Sequence, residues 1–128
     1  MIKPDWINKV RLELNDLPDE YISDESIVQV LTKAVVFVDS VKRDDIDEVL
    51  YDQAVVSLAA YFAYVNYTSV VARRLGSIPE YSEERANQLK SIALAFVNKV
   101  AKTPIDEDFG LYVVDGVSPI AFTTAGIL

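Results

Sequence analysis

The stretch RDDIDE, Arg43 to Glu48, gathers four carboxylates in five positions. Oxygen ligands at that density are what a hard cation such as calcium or magnesium takes. The spacing lacks the glycine on which an EF-hand loop turns and the glutamate that closes it twelve positions on. Aspartates just ahead of an apolar run also cap helices, so Asp44, Asp45 and Asp47 predict the start of a long helix. IDED, Ile105 to Asp108, is a second acidic run and reads as solvated loop in the same way. The chain has no His and no Cys. Imidazole bases, thiol nucleophiles, disulfides and Cys/His zinc sites are therefore excluded, and with them every Ser-His-Asp or Cys-His arrangement.

Other groups weigh less. DFG, Asp108 to Gly110, matches a kinase magnesium tripeptide, but the glycine-rich loop and the catalytic-loop histidine of that fold are missing. NYT at Asn66 fits a glycosylation sequon on a predicted helix, with no secretion signal ahead of it. Tyr51, Tyr61, Phe62, Tyr64 and Tyr67 crowd one segment without interleaved bases, which fits packing better than nucleic-acid stacking. Two adjacent pairs of bases, Lys42-Arg43 and Arg73-Arg74, are candidates for contacts between subunits, because guanidinium pairs well with carboxylate. A helix end that matches its dipole accounts for Arg73 and Arg74 as well. No catalytic constellation emerges, and the expectation is a protein that is not an enzyme and uses no cofactor or metal.

The elements that hold these groups are helices. The 128 residues are 51% hydrophobic and 25% charged, with four Gly and five Pro, the composition of one globular domain. A net charge of −8 argues against binding nucleic acid as a free monomer. No apolar run reaches the roughly 18 residues a membrane span needs. MIKPDWINKV lacks an apolar signal core, which predicts a cytoplasmic protein.

Pro4 to about Asn15 predicts a short helix, with Trp6, Ile7, Val10 and Leu14 on one side. Pro18 and its Asn/Asp neighbours then supply a turn. A second helix is expected over about 24–41, capped by Ser23 or Asp24. Its apolar face is Ile27, Val30, Leu31, Ala34, Val35, Val38 and Val41. The third helix follows RDDIDE and is apolar nearly all round from Ala54 to Val65, so it belongs in the middle of a bundle or against another subunit. Arg73, Arg74 and Gly76 signal its stop. A fourth helix, about Glu83 to Lys102, has Ser82 as candidate cap and Ala86, Leu89, Ala93, Phe96, Val97 and Val100 inward. Thr103-Pro104 ends it. The expected class is mainly α: a small bundle of about four helices over 1–104, followed by an extended or β arm over 105–128.

That arm carries four acids and no base. LYVVDGV reads as one limb of a hairpin with its Asp-Gly turn, and SPIAFTTAGIL as the return strand. Two strands alone are marginal in water, whereas an extended apolar segment gains hydrogen bonds on a partner's sheet edge. Phe109, Leu111, Tyr112, Val113, Val114, Ile120, Phe122, Ile127 and Leu128 are therefore expected to bind a partner chain.

The segments DESIVQVLTKAVVFVDSV, DQAVVSLAAYFAYVNYTSVVA and RRLGSIPEYSEERANQLKSIALAFV, in that order after a short first helix, resemble the head–tail connector (adaptor or head-completion) proteins of tailed bacteriophages. The likeness covers roughly residues 5 to 102 and rests on pattern, not on a diagnostic motif. It implies a structural virion protein at the head–tail interface, assembled in the host cytoplasm. Such proteins dock beneath the portal protein as a ring of neighbouring copies, usually a dodecamer, and offer a platform to the stopper or tail protein. DNA passes through the lumen without sequence-specific binding, and no membrane is involved. The chain departs from that pattern in residues 105–128, where the family often ends soon after its last helix. A different class also fits the residues: a small antitoxin-like helical regulator that captures one cellular protein through the same arm.

Overall fold

The computed structural model describes residues 2–14, 22–66 and 83–105, together with the backbone of 116–118 and 121–124. Four helices account for most of them: α1, Trp6–Glu13; α2, Asp24–Val41; α3, Glu48–Asn66; and α4, Glu83–Val100. The fold is a mainly α small helical bundle.

At the starts of α2 and α3 a side chain satisfies a free N–H group, whereas Asp5 at the start of α1 makes no such bond. Pro4 and Asp5 form the turn ahead of α1, with Asp5 at the cap and its carboxylate 3.3 Å from Lys9 one turn on. The helix is shorter than its sequence span because Leu14 leaves helical geometry at φ −109°, ψ 35°. Before α2, Ser23 is extended and its Oγ accepts from the Ser26 N–H at 3.1 Å, with Asp24 and Glu25 in the first turn. Of the two candidate caps it is the serine that serves. Asp47 caps α3 by accepting from the Val49 N–H at 2.9 Å. Ser82, Arg73, Arg74, Gly76 and Pro18 lie outside the described residues.

The core is built around α3, which packs on α4, α2 and α1 of its own chain. Every residue from Ala54 to Tyr64 is buried. Of the two settings open to a helix apolar all round, the middle of the bundle is the one observed. Ser57 is the single polar residue in that run, and its hydroxyl donates to the Gln53 carbonyl one turn back. Onto α3 the other helices press their stripes: Trp6 and Val10 from α1; Ile27, Val30, Leu31, Ala34 and Val38 from α2; Ala86, Leu89, Ala93, Val97 and Val100 from α4. Val35 and Val41 are half-buried at the stripe's edge. Phe96, expected inside, is half-buried beside the core.

Beyond Val100 the chain turns extended and pairs with the residues that follow α2. The α4 helix thus ends two residues before Lys102, because the Lys102 N–H donates to the Val41 carbonyl (2.8 Å) and not back along the helix. In the arm, β1 (Gly116–Ser118) pairs antiparallel with β2 (Ala121–Thr124), matching Val117 to Phe122 and Ser118 to Ala121, with a register shift next to Gly116. Gly116 thus lies within β1 and Ser118 pairs with Ala121, so the reversal falls beyond the Asp115-Gly116 pair that the sequence suggests.

Candidate functional site

The ends of α2 and α4 are clasped to each other by backbone. Lys42 and Ala101 form an isolated antiparallel bridge, the Arg43 N–H donates to the Val100 carbonyl at 2.8 Å, and the Lys102 N–H returns to Val41. This requires Lys42 to be extended (φ −73°, ψ 154°), which is also why α2 stops at Val41. Arg43 adds a side-chain contact, its Nη1 donating to the Ala101 carbonyl at 3.3 Å. One turn before the clasp, Asn98 reaches forward: its Oδ1 accepts from the Ile105 N–H (2.7 Å) and its Nδ2 donates to the Ile105 carbonyl (3.1 Å). A single amide thus treats Ile105 as a strand partner would, and Ile105 rests half-buried against the core. The root of the arm is therefore fastened to the bundle, one residue past the boundary expected at Pro104.

The sequence-predicted residues divide accordingly. Lys42 and Arg43 lie together in the clasp, with Lys42 half-buried and Arg43 exposed. Phe122 is in β2, opposite Val117. Phe109, Leu111, Tyr112, Val113, Val114, Ile120, Ile127, Leu128, Arg73 and Arg74 lie outside the described residues. Asn98 was not foreseen; an Asn near a helix C-terminus followed by Thr-Pro signals a side chain free to bind the departing backbone.

Several acidic residues are occupied with local structure. Asp47 caps α3, while Glu48 and Asp52 both receive Lys3, Asp52 at 3.1 Å. Hydrogen bonds to Glu48 and then Asp52 hold the Lys3 ammonium pKa above its ordinary value. Asp24 receives Arg11 at 2.6 Å, and Arg11 also donates to the Ile22 carbonyl, tying α1 to the start of α2. Asp44 and Asp45 are exposed. Among the described residues no three acidic side chains gather as metal ligands.

Next to Lys3 lies an aromatic cluster. The Lys3 ammonium is 5.7 Å from the centre of the Trp6 ring, and Trp6 stands 6.4 Å from Tyr51. The Tyr51 hydroxyl donates to Asp39 at 2.7 Å, linking α3 to α2. Burial first, and the bond to Asp39 second, push the Tyr51 phenol well above its usual pKa. Trp6 is 1% exposed, and its indole N–H is buried without an acceptor. These groups join elements; the arrangement can position the arm and stiffen one end of the bundle.

The chain matches no known protein family, no characterised protein and no solved structure. Among the described residues, no helix is long and apolar enough to cross a membrane.

Proposed function

We propose that this protein is a structural head–tail connector of a tailed bacteriophage, docking as a ring beneath the portal protein and carrying the stopper or tail protein on its far side. The observation that carries the reading is the fastened root of an apolar, base-free arm: Asn98 and the Lys42–Ala101 bridge deliver residues 105–128 from one defined place on a four-helix bundle. A segment delivered from a fixed point pays less entropy on docking than one on a loose tether. The order of helices, a short α1, an amphipathic α2, a long apolar α3 and an α4, supports it through the resemblance to connector proteins. The chain's −8 charge suits a lumen through which DNA slides without being held. The role is non-catalytic, and the complex is a virion component.

The test is an affinity pull-down of the N-terminally tagged full chain, beside a chain cut after Pro104, from cells producing its full gene set. Recovery of a portal-like protein by the full chain and its loss with the arm is the expected result. Recovery of a lone cellular regulator or enzyme would refute the connector role and favour a small helical binder.

A further inference from the structure

We draw no further inference here: the strongest candidate, the apolar groove between α1, α3 and α4 walled by Leu12, Val49 and Phe96, has Asp52 and Lys9 of its lining already matched by Lys3 and Asp5, and nothing in the structure shows what covers it.

Discussion

Replacing Trp6 by Phe should leave stability almost unchanged, although Trp6 is among the largest fully buried side chains described. Going from indole to phenyl removes roughly 40 Å² of apolar surface, which costs about 1 kcal/mol at ~25 cal/mol/Å². A residual void of roughly 40 Å³ costs about 1 kcal/mol more. Against that stands the indole N–H, buried without an acceptor, whose stranding costs about 1–3 kcal/mol and which Phe does not have. The weaker attraction of phenyl for the Lys3 ammonium, a solvated cation, is too small to alter this balance. The terms nearly cancel, so Trp6→Phe should lie within about 1 kcal/mol of wild type. Trp6→Ala, which leaves a true cavity and regains the same donor relief, should cost about 3 kcal/mol or more. Urea unfolding followed by far-ultraviolet circular dichroism measures both, since Trp6 is the single tryptophan and fluorescence would be lost with it. Equal slopes are required for the midpoints to report stability alone. A Trp6→Phe loss of about 3 kcal/mol would refute the reasoning: the indole N–H would then be contributing, not stranded.

Two further outcomes follow from the joints between elements. Asn98→Ala removes both hydrogen bonds to Ile105 at an exposed position, so global stability should fall by no more than about 1 kcal/mol, while amide exchange at Ile105 should accelerate roughly tenfold. Unchanged exchange at Ile105 would mean the amide does not hold the arm's root. Tyr51 has a folded pKa raised above the unfolded phenol value, so the folded state keeps its proton longer. Its contribution is fully present below about pH 10 and lost as pH rises through the alkaline range above it. Alkaline unfolding of the wild type should thus steepen above about pH 10, and Tyr51→Phe should flatten it; identical alkaline profiles would rule out the linkage.

Legibility in the sequence followed the range of the forces involved. The α2 span was readable to the residue because its determinants are local: a serine cap, two acids in the first turn and a stripe at steps of three and four. The central place of α3 could be read as one of two settings, since all-round apolarity shows that every side is covered but not by what. The end of α4 at Val100 was not readable. It is set by pairing with residues 41–43, nearly sixty positions away, and nothing near Lys102 announces that partner. Phe96 fits the α4 stripe by spacing, yet it packs only at the edge of the core and is half-buried there. Leu12 did carry a signal, as an apolar residue off the face formed by Trp6, Ile7, Val10 and Leu14. The arm residues named from composition, apart from Phe122, lie outside the described residues.

The burial of α3 changes where contacts between copies have to be sought. A helix apolar all round would support a ring directly if one side waited for a neighbour. Here the run from Ala54 to Tyr64 is covered within one chain, so that support is withdrawn. Any association must use what the bundle leaves outside, and among the described residues the large apolar side chains left there are Leu12, Val28, Val36, Val49 and Ile92. Contacts that bury less than the roughly 1,200–2,000 Å² of total area found in standard stable interfaces are weak. Weak pairwise contacts suit a ring assembled on a template, because docking on the template raises the effective concentration of one copy beside the next. On the proposed reading the arm would hold a copy to its partner, and contacts between copies would need only to order them around it.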